Sequence, residues 1–180
     1  MSLKQHKHLS ATCQCGNVKF EAAGAPIVSA SCYCTSCQEA GGQFEQLPGA
    51  PLVLDPDGGT GFVLYRKDRV RCAKGQENLE EHRLKPESST RRVVATCCNS
   101  AMFLEFTNRH WLSMYRNRFT TGVPRLEMRV MTEDRGAGVV LAGDVPNYAT
   151  HSGKFMFKLL AAWIAMGFRR PKIAWGKAAG

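Results

Sequence analysis

The sequence has no hydrophobic run long enough to cross a membrane. Its longest apolar stretch, residues 155–168, contains Lys158 and is shorter than the about 20 residues that a spanning helix needs. The first residues also lack the apolar segment of a secretory signal. These absences predict a soluble cytoplasmic protein with no transmembrane span, in a compartment where thiols stay reduced.

Acidic residues are scarce. There are 15 Asp and Glu residues against 24 Lys and Arg residues, which gives a formal net charge of +9. Such a balance favours anionic partners. However, no block of five or more like charges occurs, and the positive charges are either solvated surface or part of an anion site. The sequence also lacks a Ser-His-Asp order, a phosphate-binding loop and a dinucleotide fingerprint, so it does not support those chemistries.

Cysteine, in contrast, is abundant. Eight cysteines occur in 180 residues, although a chain of this length can bury a core without disulfides. In a reducing compartment a patterned set of cysteines is more often metal-binding or catalytic than disulfide-bonded. We therefore predict zinc binding, with buried thiols or redox pairs as the alternative. The predicted ligands are Cys13, Cys15, Cys32, Cys34, Cys37, Cys97 and Cys98.

The spacing of these cysteines suggests two groups. The Cys34-x-x-Cys37 spacing lets two thiolates meet one zinc at about 2.3 Å each, and Cys32 is well placed to complete a three-thiolate site. Cys13 and Cys15 need ligands from elsewhere, which the pair at 97 and 98 can donate. Neighbouring residues point to opposite sides of an extended chain. One of that pair is therefore expected to ligate, while the other packs or serves as a strained fourth ligand.

The remaining pattern predicts a mainly β fold with an added C-terminal helix. Ser152 can cap a helix over residues 153–168 that ends before Pro171. Its apolar residues surround most of the helix, which favours docking on the β domain, with a subunit interface (a homodimer) or a membrane-surface contact as the alternative. We expect a flexible tail over residues 1–10, a zinc-binding domain over 11–150, and the helix and tail over 151–180. The predicted strands cover residues 17–22, 27–31, 61–65, 69–72, 79–84, 91–95, 102–106, 111–115 and 126–131.

The cysteine motifs resemble those of the glutathione-dependent formaldehyde-activating enzyme family, which includes the centromere protein V type. That pattern runs Cys-x-Cys-Gly, Cys-x-Cys-x-x-Cys and Cys-x-x-Cys-Gly, and it spans roughly residues 11–106 here. Tyr33 stands where the family usually has His. Ala95 and Asn99 stand where the third motif has Cys and Gly, so Cys97 would have to replace a ligand. The chain therefore resembles a divergent member of this family, with departures in its second and third motifs.

The resemblance implies a β-tent fold with two zinc ions. One site would be structural, built from Cys13, Cys15 and the third motif. The other would be catalytic, built from Cys32, Cys34 and Cys37, with one coordination position left open. The resemblance also implies a carbon–sulfur lyase that acts on an adduct of a thiol such as glutathione with a small aldehyde such as formaldehyde.

A three-thiolate zinc site carries a net charge of about −1, so it activates water poorly but can hold a substrate thiol as its fourth ligand. Two alternatives remain: a purely structural zinc protein, and a non-catalytic zinc-stabilised module that binds an acidic partner such as nucleic acid. No aromatic-and-basic RNA signature or recognition helix favours nucleic acid. The residues expected to hold the carboxylates of the thiol are Arg66, Arg69, Arg91 and Arg92.

Overall fold

The strands form one small and one large sheet. The computed structural model describes residues 8–120, 122–173, 175 and 177–178. The small sheet has three strands in the order β1-β2-β5, and the large sheet has eight in the order β10-β3-β4-β9-β8-β7-β6-β11. The strands are β1 His8–Thr12, β2 Lys19–Ala23, β3 Val28–Cys32, β4 Thr60–Arg66, β5 Val70–Lys74, β6 Leu79–His82, β7 Thr90–Ala95, β8 Ser100–Phe106, β9 Trp111–Tyr115, β10 Met128–Val130 and β11 Lys177–Ala178. The α-helices are α1 Thr35–Glu45 and α2 Gly153–Ala165, and short 3-10 helices cover Lys67–Arg69, Gln76–Asn78, Arg116–Arg118 and Thr132–Asp134.

Both faces of the large sheet are buried. Successive residues of a strand point to opposite faces, so Phe103 of β8 packs with the small sheet, against Phe20 of β2 at a ring distance of 5.5 Å. Its neighbour Leu104 packs with Phe44 of α1 and Phe155 of α2. The sheet therefore separates two apolar cores, one under the small sheet and one under the helices.

The mainly β class and the C-terminal helix are confirmed, and each predicted strand occurs close to its expected bounds. Helix α1 was not predicted. The buried residues of α1 are few and small apart from Phe44, and Gly41 and Gly42 weaken its helical signal. Residues 1–7 of the expected tail lie outside the described residues, whereas His8 and the two residues after it belong to β1.

Helix α2 begins as predicted. The Ser152 side chain accepts a hydrogen bond from the Phe155 backbone N–H at 3.1 Å, which satisfies one of the free donors of the first turn. The helix ends at Ala165 rather than at 168, because Gly167 and Phe168 adopt positive φ values of 61° and 58°. Within the described residues, no helix is both long and apolar enough to cross a membrane.

Only a narrow face of α2 docks on the sheet. Phe155 and Leu159 are buried, whereas Leu160 and Ile164 are 47% and 55% exposed. After α2 the chain returns to the β domain, where β11 pairs in parallel with β6 and Trp175 packs 5.1 Å from the ring of Phe20. Docking on the β domain therefore accounts for one face of the helix, and the homodimer stays a prediction.

A close approach of two turns depends on Gly75. This glycine has φ +78°, and a Cβ at this position would lie 2.2 Å from the Asn17 carbonyl oxygen. Gly138 has the same φ with nothing within 4 Å. We expect Gly138→Ala to cost about 1 kcal/mol through backbone strain alone. Gly75→Ala should cost about 3 kcal/mol, because the backbone must also move.

Urea unfolding of the two variants distinguishes the cost of backbone strain from the cost of the close contact. Both substitutions place alanine at the same positive φ, but only the one at Gly75 brings a Cβ against another turn. Equal losses of unfolding free energy would show that the turn at Asn17 can move at little cost and that the close approach does not contribute to stability.

Candidate metal centres

The first cysteine group joins the two sheets. The sulfurs of Cys13, Cys15, Cys97 and Cys98 all lie within 4.8 Å of one another. The Cys13–Cys15, Cys13–Cys97 and Cys15–Cys97 sulfurs are 3.6, 3.8 and 3.3 Å apart. Four sulfurs at about 2.3 Å from a tetrahedral zinc ion would be about 3.8 Å apart. The group therefore fits a closed four-thiolate metal site.

A turn after β1 brings Cys13 and Cys15 together. Gly16 adopts φ +78°, and its N–H donates to the Cys13 carbonyl at 3.0 Å. The Val18 N–H donates to the Cys13 sulfur at 3.2 Å. An N–H directed at a sulfur stabilises the thiolate form, so the backbone of this turn prepares Cys13 as a ligand.

The hairpin between β7 and β8 supplies the other two sulfurs. Cys97 and Cys98 lie in its turn, and Asn99 follows with φ 53°. The sequence left open whether the second of these neighbours packs away or becomes a fourth ligand; the turn is not extended, and both sulfurs lie in the group. Ala95, where the family pattern has a cysteine, lies fully buried in β7, and the Cys97 sulfur joins the group instead.

The four thiols of the first group oppose one another's ionisation unless a cation is bound. Burial opposes ionisation of Cys98, but hydrogen bonds from Ser100 and from neighbouring thiols outweigh it and lower the pKa of Cys98 to about 6. Burial raises the pKa of Cys13 and, together with the contacts to Cys15 and Cys13, that of Cys97. One thiolate therefore suppresses the ionisation of its neighbours, and a bound dication removes that conflict.

The second group lies where β3 meets α1. Cys32 ends β3, Cys34 is the N-cap residue of α1, and Cys37 lies in its first turn. The Cys37 N–H donates to the Cys34 carbonyl at 2.9 Å, and the three sulfurs lie within 4.8 Å of one another. Within the described part of the chain, no fourth His, Cys, Asp or Glu joins them. Three ligands and an open position are typical of catalytic zinc sites.

These three thiols also share one negative charge. Hydrogen bonds from Cys32 and Cys37 lower the pKa of Cys34 to about 2. The same contact with Cys34 raises the pKa of Cys32 to about 12, and contacts with Cys32 and Cys34 raise the pKa of Cys37. As in the first group, full ionisation needs a bound cation.

Tyr33 lies on the opposite face of the chain from these sulfurs. Its hydroxyl donates to Asp57 at 2.7 Å. It lines a separate pocket of about 280 Å³ with Asp55, Arg116 and Arg129. Tyr33, which stands where the family pattern usually has His, therefore directs its side chain away from the cysteine group.

A large cavity opens beside the second group. It has a volume of about 800 Å³ and reaches from Cys32, Cys34 and Cys37 to the inner face of α2. Its lining contains two arginines, Arg109 and Arg170. An apolar cavity of 300–1,000 Å³ with a few polar groups is the usual form of a small-molecule site.

The arginines expected from the sequence do not line this cavity. Arg66 pairs with Asp68 at 2.7 Å, Arg91 lies in a buried ionic network, and Arg92 donates to the Ser36 carbonyl at 2.9 Å. The two arginines at the cavity were missed because they come from the β8–β9 turn and from the segment after α2. No sequence motif connects these distant segments with the cysteines.

Comparison with known proteins agrees with the cysteine pattern. The family model described as glutathione-dependent formaldehyde-activating enzyme matches residues 8–49, which include Cys13, Cys15 and the second group. A search of curated proteins finds no match. The crystal structure of a Rhodobacter sphaeroides protein, a structural genomics target, is 17% identical and has a TM-score of 0.48. The alignment covers 77% of this chain and 98% of that one.

Proposed function

We propose that this chain is a divergent member of the glutathione-dependent formaldehyde-activating enzyme family, whose model matches residues 8–49, and that it is a zinc-dependent carbon–sulfur lyase. Its substrate is the adduct of a thiol such as glutathione with an aldehyde. Cys32, Cys34 and Cys37 hold the catalytic zinc, and the four sulfurs of the first group hold a structural one. The observation that carries the proposal is a set of three sulfurs, rather than four, in the wall of a cavity.

When bound to these three thiolates, zinc supplies one open coordination position that suits a soft sulfur ligand. The chain's own residues support that geometry. Arg92 of β7 donates to the Ser36 carbonyl at 2.9 Å and so ties the first turn of α1 to the sheet. Phe62, Leu104 and Leu159 form apolar walls that limit water beside the sulfurs.

The reaction balances without an oxidant or a reductant. In the adduct R–S–CH(OH)–R′ the carbon–sulfur bond breaks, and its electron pair stays on sulfur. The hydroxyl group loses its proton as its oxygen forms the carbonyl of the aldehyde, and one proton is returned to sulfur when the thiol leaves. The thiol and the aldehyde together contain the atoms of the adduct. In this proposal Arg109 and Arg170, which line the cavity, bind the carboxylates of the thiol through charge-assisted hydrogen bonds.

Cys34→Ser tests the catalytic assignment. We expect this variant to keep its fold, to lose one of two zinc equivalents, and to lose activity by more than the 10–100-fold typical of removing an outer partner of a metal ligand. The matched control is Cys72→Ser, because the Cys72 sulfur contacts the Lys74 carbonyl and lies outside both groups. Zinc is counted by mass spectrometry, and exchange between glutathione and its formaldehyde adduct is measured by NMR.

The control should keep both zinc equivalents and full exchange activity. A Cys34→Ser protein that also keeps both would remove the second group from the catalytic role. Unfolding of Cys34→Ser together with loss of its zinc would instead make that site structural.

A further inference from the structure

The cavity beside the second cysteine group is far larger than a one-carbon group requires. At about 800 Å³ it lies near the upper end of the range for sites that bury drug-sized ligands. With the polar thiol part held beside Arg109 and Arg170, the hydroxymethyl group of a formaldehyde adduct would leave the apolar part of this space unfilled. The walls should therefore show which larger chemical group fits.

Apolar side chains form the walls on both sides. The sheet contributes Phe62, Leu64 and Leu104, which are all 5% exposed or less. Helix α2 contributes Phe155 and Leu159, which are 7% and 4% exposed. Burying an alkyl or aryl group against such walls is favourable in proportion to the apolar area removed from water.

Apart from the cysteine group, the charged side chains of the lining are positive. Two arginines line the cavity, and no carboxylate among the described residues does. The Arg170 guanidinium stacks over the Trp163 ring at 4.7 Å from its centroid, an arrangement that fixes a cation against an apolar wall. Arg109 is exposed. The cavity is thus complementary to a molecule that is apolar over most of its length and carries a carboxylate.

We propose that this cavity binds a bulky apolar group attached to the substrate sulfur, so that the preferred adduct is formed from a hydrophobic alkyl or aryl aldehyde rather than from formaldehyde. The carboxylates of the thiol part face Arg109 and Arg170. This inference rests on the proposed function for the position of the sulfur, and it adds the class of aldehyde.

A series of S-alkylglutathiones tests the cavity apart from the reaction. Their sulfur is capped, so they cannot be cleaved by the proposed reaction. Calorimetry with the zinc-loaded protein should show binding that tightens roughly fourfold for each added methylene from S-methyl to S-hexyl, as expected for full burial of each group. Equal affinity along the series would overturn the inference.

Two substitutions on α2 form a matched pair. Leu160 lines the cavity and is 47% exposed, whereas Ile164 is 55% exposed on the same helix and does not line it. Because both side chains are half exposed, neither change to Gln should unfold the protein. We expect Leu160→Gln to weaken S-hexylglutathione binding about tenfold and Ile164→Gln to leave it unchanged, with the zinc content constant in both. Equal effects of the two variants would contradict the inference.

The remaining outcomes distinguish the inference from the proposed function. Chain-length-dependent binding without any aldehyde exchange would support the apolar cavity and reject the lyase. Exchange of the formaldehyde adduct that is faster than that of the hexanal adduct, with flat binding along the series, would support the lyase and reject the apolar cavity.

Discussion

Cys15→Ser is expected to remove one zinc equivalent and most of the folding stability. The Cys15 side chain is exposed, so the loss of its sulfur alone would matter little. Its sulfur lies 3.3 Å from that of Cys97, and these residues come from turns of different sheets. A structural zinc site contributes apparent binding free energies of about 10–16 kcal/mol in small zinc domains, comparable to the whole stability of a typical domain.

The neighbouring substitution Gln14→Ser is the control. Gln14 is also exposed and lies in the same turn, but its side chain has no sulfur, and the change should stay within about 0.5 kcal/mol. Unfolding in urea and metal analysis of the same samples provide the measurement. A Cys15→Ser protein that keeps its zinc and loses less than about 1 kcal/mol would show that the first group is not a structural metal site.

Glu105→Gln is expected to be the most damaging substitution away from the cysteines. The Lys67 and Glu105 side chains are 0% and 2% exposed and form an ion pair, and Arg91 Nε lies 2.6 Å from the same carboxylate. Removing the negative charge leaves the Lys67 ammonium buried against carbonyl groups only. Breaking a buried pair in this way costs about 3–5 kcal/mol.

A double variant distinguishes the unpaired charge from general disruption. Adding Lys67→Met to Glu105→Gln removes the buried ammonium, so unfolding free energy should partly recover. For comparison, Glu21→Gln breaks the exposed pair with Arg71, which should cost less than about 1 kcal/mol. Losses of similar size for Glu21→Gln and Glu105→Gln in urea would contradict a buried ionic network.

Most strands of the fold could be predicted from the sequence because alternation and turn residues are local signals. Trp111–Tyr115 occurs with the predicted bounds. Helix α1 could not be predicted in the same way, since its first residues were interpreted as a metal motif and it contributes only one large apolar side chain, Phe44, to the core. A short helix of this kind is stabilised by the contacts around it more than by its own propensity.

In the candidate site, too, features that depend on local spacing could be predicted and those that depend on long-range packing could not. The grouping of Cys32, Cys34 and Cys37 follows from spacing within a few residues, and the structure brings their sulfurs together. For Cys97 and Cys98 the sequence left two arrangements open, because the positions of their sulfurs depend on a turn whose last residue, Asn99, adopts a positive φ. The basic residues at the cavity depend on long-range packing, which no local pattern encodes.

The outer wall of the cavity consists of a helix with few anchors. Of the thirteen residues of α2, only Phe155 and Leu159 are buried, and the Leu159 carbonyl lies 2.9 Å from His110 Nε2. Segments with few buried apolar contacts open locally at a fraction of the free energy of global unfolding. Local opening of α2 would therefore let a ligand enter or leave the cavity. The β-sheets and both cysteine groups would keep their arrangement, so that ligand entry and release would need only a local fluctuation of one helix.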